Sequence, residues 1–306
     1  MLSVIICTHN PRTDYLRRTL DGLKAQRLPH SQWELLIVDN ASKEPLAGRV
    51  DVQWHPAGRI VREDEVGLTA ARLRAIAESK GDVLVWVDDD NILAENYLER
   101  ADEFHRAWPM LGIWGCGDYR PEWEEAPAPA LQPFLAYLAV HRIPRDRWSN
   151  QAFDYGAMPA GAGLCSRRLV AERYAQNVRT DPRRRLLGRV GAQLSACEDF
   201  DFGLTALDVG LGMGVFLAFS LTHLMPKGRV QKEYLRRLAE GHAYSTVMLM
   251  AMRQPDYAPP RRGGLARLRR WRYLRALGPV ERELEADKLR GERRAEQTLA
   301  TGTSAR

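Results

Sequence analysis

Cysteine is scarce in this chain, and no two cysteines are placed to act together. Cys7, Cys116, Cys165 and Cys197 are the four in 306 residues. None forms a CxxC pair or takes metal-ligand spacing, which reads as reduced, mostly buried thiols and no disulfide. Long apolar runs are missing too. The most apolar stretch, 209–225, is shorter than the roughly 20 residues that span a bilayer and holds three glycines, so a buried strand is expected there rather than a membrane helix. The opening residues MLSVIICTHN lack the basic segment, long apolar core and cleavage site of an export signal, so a cytoplasmic location is expected. There is no internal repeat and no recognisable RNA- or DNA-binding module, so nucleic acid is not an expected partner.

What remains is a chain with 45% hydrophobic residues, enough for one large α/β domain or two smaller ones. Residues 2–7 (LSVIIC) and 34–38 (ELLIV) are apolar runs that each end in a polar cluster, and Leu16, Leu20 and Leu23 between them fall at helical spacing. Together they read as a βαβ unit. A second helical pattern over 67–79 leads into the strand 83–87 (VLVWV). Strands alternating with helices imply a mostly parallel sheet with helices on both faces. Beyond it an irregular connection is expected over 118–150, a strand near 213–219 and a helix from about 231 to 252. Ligands of such sheets sit outside the carboxyl ends of the strands. The clusters THN (8–10), DNAS (39–42) and DDD (88–90) are therefore candidates for one shared site.

Asp88, Asp89 and Asp90 repel one another unless a positive charge joins them. Successive side chains at a strand end alternate in direction, so at most two can face one cation, and carboxylate oxygens suit Mg²⁺ or Mn²⁺. Read from the residues alone, the alternative is a solvated acidic turn, or an N-cap supplied by Asp90 or Asn91 to a helix in NILAENYLERA. A second acidic cluster, CEDFDF (197–202), reads either as the site of a general base or as the acid-favouring start of a helix.

The segments LSVIICTHN, LLIVDNAS, VGLTAARLRAIAESKGD, VWVDDD, PAGAGLCSRR, CEDFDF and THLMPKGRVQKEYLRRLAEGHAYS follow in the order found in the family 2 glycosyltransferases. The sequence resembles that family over roughly residues 1–250. The resemblance implies the α/β GT-A fold, with a Rossmann-like nucleotide-binding sheet. It implies a catalytic domain at 1–252, with a nucleotide-sugar-binding half (1–117) and an acceptor-binding half (118–252), then a basic, largely helical extension at 253–306. The implied reaction moves one sugar, with inversion and with Mn²⁺ or Mg²⁺, from a nucleoside diphosphate sugar to an acceptor hydroxyl. A uridine donor is expected, and the acceptor would be a saccharide or lipid-linked glycan, as in bacterial polysaccharide or lipopolysaccharide assembly.

Residue by residue, Thr8, His9 and Asn10 resemble the family's nucleotide-binding turn, Asp39 the acid that contacts uracil or ribose, and Arg72 the arginine that meets the diphosphate. Leu73 stands where relatives usually carry asparagine. Asp88 and Asp89 resemble donor-binding carboxylates, and Asp90, His223 and Asp88 resemble the metal site. Gly161, in PAGAG, would let the backbone approach the donor sugar. Asp199 resembles the catalytic base, with Glu198 as its supporting carboxylate.

The net charge of +6 is concentrated late in the chain, where 259–277 holds seven arginines and no acid. Leu265, Leu268, Trp271, Leu274 and Leu277 recur every three residues between those arginines. On a helix this is expected to give an apolar strip beside a cationic face. Residues 261–277 would then lie on an anionic membrane, peripheral to the inner face of the cytoplasmic membrane, or pack on the domain. RLRRW (267–271) matches the QxxRW-type signature of processive synthases by chance, since no spanning helices accompany it, and one sugar per encounter is expected. Two other functions remain open. A nucleotidyltransferase would need a glycine-rich basic loop where CTHNPR stands, and two retained carboxylate sets argue against a non-catalytic sugar-nucleotide or membrane-binding module.

Overall fold

The computed structural model describes residues 1–189, 194–254, 256–258 and 263–301. The chain forms two compact units, one of Met1–Glu122, Ala139–Arg185 and Glu198–Met225, the other of Trp123–Leu138, Leu186–Cys197 and Pro226–Arg306.

The first unit is built on a sheet. Strands β1 (Leu2–Thr8), β2 (Trp33–Asn40), β3 (Gly58–Glu63) and β4 (Val83–Val87) pair in parallel in the order β3-β2-β1-β4. Beyond β4 the pairs are antiparallel: β8 (Cys165–Arg167) joins β4 to β6 (Leu111–Trp123), and β5 (Asn91–Leu93) and β7 (Arg147–Ser149) both join β9 (Gly212–Met225). The parallel arrangement expected from the sequence thus holds for the first four strands, and antiparallel pairs complete the sheet.

The sheet is covered on both faces, and the two-residue period of its strands decides which side chain goes where. Val4, Ile6, Leu35, Ile37, Val83 and Val85 pack with α1 (Thr13–Lys24) and α3 (Tyr97–Ala107). The intervening Ile5, Leu36, Val38, Leu84 and Trp86 pack with α2 (Leu68–Glu78), α4 (Arg168–Thr180) and α5 (Glu198–Asp208). Each fully buried Leu or Ile contributes about 1.5–3 kcal/mol relative to exposure, so a one-residue slip of β1 or β2 would be strongly disfavoured. The sheet-facing side of α2 carries Thr69, Arg72, Ala75 and Ile76. Its small alanines bring the helix close, and Arg72 is carried inward with them.

Three expectations are corrected here. Asp90 and Asn91 do not cap a helix: Asn91–Leu93 is a strand, because Ile92 and Leu93 pair with Thr222 and Leu221, and α3 starts only at Tyr97, with Asn96 before it. The irregular connection starts later than 118, because β6 continues to Trp123. Finally, α7 (Gly264–Ala276) is helical as expected, but a three-residue repeat steps back by about 60° at each repeat on a 3.6-residue helix, so its apolar positions wind around the axis and form no strip. Leu268, Trp271 and Tyr273 are exposed. Residues 259–262 of the basic run lie outside the described residues.

In the second unit, α6 (Lys232–Arg253) packs along α8 (Pro279–Thr301) and the 3₁₀ segment Pro129–Leu138. Asp287 of α8 is fully buried and takes two hydrogen bonds from Arg236 of α6, at 3.0 and 3.1 Å. No helix among the described residues is long and apolar enough to cross a membrane.

Candidate active site

The loops after β1, β2 and β4 meet at the carboxyl ends of the parallel strands. After β1, His9 Nδ1–H donates to the Asn40 carbonyl at 2.6 Å, and its Nε2 accepts from Asn10 Nδ2 at 2.8 Å. Asn10 takes a left-handed backbone (φ 49°), and its side-chain oxygen accepts from Lys43 N at 2.9 Å. His9 and Asn10 therefore lock the first turn to the second. Asp39, 1% exposed, accepts from Ser42 N at 3.1 Å, Leu46 N at 3.0 Å and Arg62 Nη1 at 3.1 Å. Burial opposes its ionisation, but these donors outweigh burial and hold its pKa below the ordinary value.

The three consecutive aspartates diverge. Asn91 N donates to the Asp88 carbonyl at 3.1 Å, closing a turn, while Thr8 Oγ1 donates to Asp89. Asp90 is 4% exposed, takes a hydrogen bond from Asn91 Nδ2 at 3.0 Å, and lies with Oδ1 3.6 Å from His223 Nε2. The β5–β9 pairing sets Asn91 opposite His223 and so brings that imidazole to Asp90. His223 Nδ1–H donates to the Ala139 carbonyl at 3.2 Å, which turns the Nε2 lone pair toward a carboxylate. Two electron-rich atoms facing each other call for a positive charge between them. Carboxylate oxygen and imidazole nitrogen are donors a divalent cation accepts. Among the described residues no cluster of three or more His, Cys, Asp or Glu is arranged to hold a metal; the protein would supply Asp90 and His223.

The PAGAG loop joins the two acidic clusters. Gly163 N donates to the Trp86 carbonyl at 2.9 Å, which ties the loop to the end of β4, and Gly161 N donates to Asp199 Oδ2 at 2.9 Å. A Cβ at Gly161 would lie 2.9 Å from Arg72 Nη2, so glycine is what lets the loop rest on that guanidinium. Arg72 and Glu198 are each about 4% exposed and pair at 2.8 Å, Nη1 to Oε2. Tyr174 Oη–H donates to the other Glu198 oxygen at 2.7 Å. Burial pushes the Glu198 carboxyl up to about 7, against the opposing pull of Arg72 and the Tyr174 hydrogen bond. The Tyr119 phenol is raised chiefly by burial and further by the neighbouring Cys116, Asp199 and Asp88.

Every site residue named from the sequence thus lies in the first unit. The structure brings Thr8 to Asp89, Asp90 to His223, and Gly161 to Arg72, Asp199 and, through Arg72, Glu198. Arg72 is not an open surface arginine, and Asp39 is already engaged by its own turn and by Arg62 of β3. Sequence reasoning missed Tyr174, the donor to Glu198, and Arg184, which pairs with the buried Asp201. Tyr174 falls among the apolar positions of α4, and Arg184 is one of several arginines in its loop, so neither carries a local signal.

A parallel half-sheet whose acidic strand end is tied to the acidic start of a second helix has the layout of the GT-A fold. Residues 3–150 match the model of glycosyl transferase family 2. Solved structures of the same fold include a mannosyltransferase from Pyrobaculum calidifontis in complex with GDP-Man and Mn²⁺, 20% identical, covering 99% of this chain and 76% of that one with a TM-score of 0.53. GalNAc-T7 with UDP, GalNAc and Mn²⁺ is another, 16% identical over 93% of this chain and 56% of that one, with a TM-score of 0.52. Among curated proteins, glycosyltransferase AglE of Haloferax volcanii is 28% identical over 102 residues, 32% of this chain and 33% of that protein. Polypeptide N-acetylgalactosaminyltransferase 5 of Caenorhabditis elegans is 34% identical over 103 residues, 32% of this chain and 16% of that protein. The match spans a third or less of the length of these relatives.

Proposed function

We propose that the chain transfers one sugar, with inversion, from a nucleoside diphosphate sugar to a hydroxyl of a saccharide or lipid-linked glycan, with uridine as the donor base. The observation that carries this reading is the Gly161 N to Asp199 Oδ2 hydrogen bond, which joins the loop from β4's edge to the acid at the start of α5. The turn of Thr8, His9 and Asn10 receives the nucleotide, with Asp39 shaping its wall. Asp90 and His223, with Asp88 and Asp89 adjacent, would hold Mn²⁺ or Mg²⁺. When bound, that cation offsets negative charge on the diphosphate leaving group.

The side chains divide the remaining work. Asp199 accepts the proton of the acceptor hydroxyl as its oxygen attacks the anomeric carbon from the face opposite the departing diphosphate. Glu198 fixes Arg72, whose guanidinium lies under Gly161 and adds positive potential near the phosphates. A thermal-shift panel of UDP, GDP, CDP and dTDP with and without Mn²⁺ tests the reading, because a ligand bound to the native state raises the melting temperature. The largest rise is expected for UDP with Mn²⁺, and Asp90→Ala should remove the Mn²⁺-dependent part. No shift with any nucleotide would refute it.

A second reading concerns location. Leu268, Trp271 and Tyr273 of α7 are exposed next to Arg269, Arg272 and Arg275, a composition suited to an anionic bilayer surface. Changing these three arginines to glutamate should abolish sedimentation with phosphatidylglycerol vesicles. Unchanged sedimentation of that variant, or none of the parent, counts against membrane contact.

A further inference from the structure

We infer that Arg184 is a positioning residue for Asp199: it grips α5 through Asp201 and thereby sets the direction in which the acceptor-side acid points. This role rests on the glycosyl-transfer reading and gives the acid of that reading a support on the far side of its helix.

The first turn of α5 carries three acids, Glu198, Asp199 and Asp201. On a helix of 3.6 residues per turn each residue is rotated by about 100° from the one before, so Asp201 lies about 60° from Glu198, while Asp199 lies about 160° from Asp201. Burial follows that division. Glu198 is 3% exposed and Asp201 1%, whereas Asp199 is partly exposed. Each of the two buried acids has a cation: Arg72 Nη1 lies 2.8 Å from Glu198 Oε2, and Arg184 Nη1 pairs with Asp201 Oδ1. Asp199 instead accepts from two backbone groups, Gly161 N and Phe200 N, both at 2.9 Å. These neutral donors orient its carboxylate without cancelling its charge, which leaves it able to accept a proton.

Two ion pairs on the side away from Asp199 fix the rotation of α5 about its axis. Side chains end about 5–6 Å from a helix axis, so a roll of about 20° would carry the Asp199 carboxylate by about 2 Å, enough to break its hydrogen bond to Gly161 N. Arg184 is itself held in place. It lies in the 3₁₀ segment Pro182–Leu187, and its backbone N donates to the Asp181 carbonyl at 3.1 Å. On either side of it, Arg183 Nε donates to Asp181 at 2.7 Å and Arg185 pairs with Glu65, in the loop between β3 and α2. Asn40 anchors that loop, since its Nδ2 donates to the Glu65 carbonyl at 2.6 Å. The arginines therefore join the turn after β2 to the first turn of α5, and all these residues belong to the first unit. An ion pair so nearly removed from water adds little stability over an apolar replacement. Arg184 Nε is also buried with no hydrogen-bond partner among the described residues, a further cost. What this cation supplies in return is the fixed position of Asp201.

The test measures UDP-sugar hydrolysis per folded molecule, together with donor affinity, on the full chain of the parent, Arg184→Met, Arg184→Lys and Arg184→Met/Asp201→Asn. Arg184→Met should lose turnover by about ten- to a hundredfold, the scale on which a misplacement of about 1 Å acts, with donor affinity unchanged. The contact runs through one nitrogen, so Arg184→Lys should keep turnover within about threefold of the parent. Arg184→Met leaves Asp201 buried and unpaired, which can prevent folding. The double variant removes that charge as well, and it should fold and lose turnover as Arg184→Met does. The inference is overturned if the double variant turns over as the parent does, if donor affinity falls as far as turnover, or if only the unfolding midpoint drops while turnover per folded molecule is kept. Absence of turnover in the parent would remove the glycosyl-transfer reading and this role together, whereas variants equal to an active parent would remove this role alone.

Discussion

Replacing Glu198 by glutamine exchanges an ionisable side chain for a neutral one of the same shape beside Arg72, which underlies the PAGAG loop. The folded protein holds the Glu198 proton up to about pH 7, against an ordinary carboxyl value of 4.5, because burial disfavours the charge more than Arg72 favours it. Since the folded pKa is raised, this group's contribution to stability is fully present below about pH 4.5 and is lost as pH rises through about 7. At about 1.4 kcal/mol per pH unit, the loss over that window is roughly 3 kcal/mol. Glutamine has no proton to lose, and titrations remote from Glu198 are common to both proteins; its charged neighbours Asp199 and Asp201 are perturbed only secondarily. The stability of Glu198→Gln minus that of the parent should therefore rise by roughly 3 kcal/mol between pH 4.5 and pH 8. That sign is the one expected where desolvation of a buried ion pair exceeds its attraction. Urea unfolding of both proteins at pH 4.5, 5.5, 6.5, 7.5 and 8, followed by tryptophan fluorescence, measures the difference directly. A flat difference, or one that falls as pH rises, would refute the reasoning, since Glu198 would then be a stabilising partner of Arg72 in its ionised form.

Gly163 has a left-handed backbone (φ 75°), and a Cβ there would lie 2.5 Å from Tyr97 Oη. Gly163→Ala is expected to destabilise by about 2 kcal/mol or more, from strain and crowding together, read as a lower urea midpoint. Gly161→Ala presses on Arg72 Nη2 and sits beside Asp199 rather than against backbone. It should cut donor turnover at least tenfold at nearly unchanged stability, and a variant that unfolds without losing turnover per folded molecule contradicts that. Tyr174→Phe leaves a buried Glu198 oxygen without its donor. The expected cost is about 1–3 kcal/mol, measured by the same unfolding assay.

The first half of the fold was legible because its strands are uninterrupted apolar runs and its helices keep a clean spacing. β3 was not, because GRIVRE has only two apolar residues, Ile60 and Val61, flanked on each side by an arginine, and lies half-exposed at the sheet edge. The strand Asn91–Leu93 falls inside NILAENYLERA, where the sequence offers a helix as one alternative, because its three residues say little locally and only the pairing with β9 makes them extended. At the site, acids and glycines stood out as clusters, since their chemistry is unusual at strand ends. Their partners did not: Tyr174 with Glu198, Arg184 with Asp201 and Arg62 with Asp39 are joined across 24, 17 and 23 residues. Whether Arg72 faces solvent or the core depended on which side of α2 meets the sheet. Periodicity alone leaves that choice open when alanines occupy several sides of a helix.

The account rests on Asp199 acting on the acceptor side while Asp90 and His223 serve the donor. Hydrolysis of a UDP-sugar by the parent and by Asp199→Asn, with donor affinity measured on the same samples, tests this most directly. The predicted result is a fall in turnover of about 10²–10⁴-fold with donor affinity retained. Turnover equal to the parent's, or a loss of donor binding that accounts for the whole effect, would contradict it.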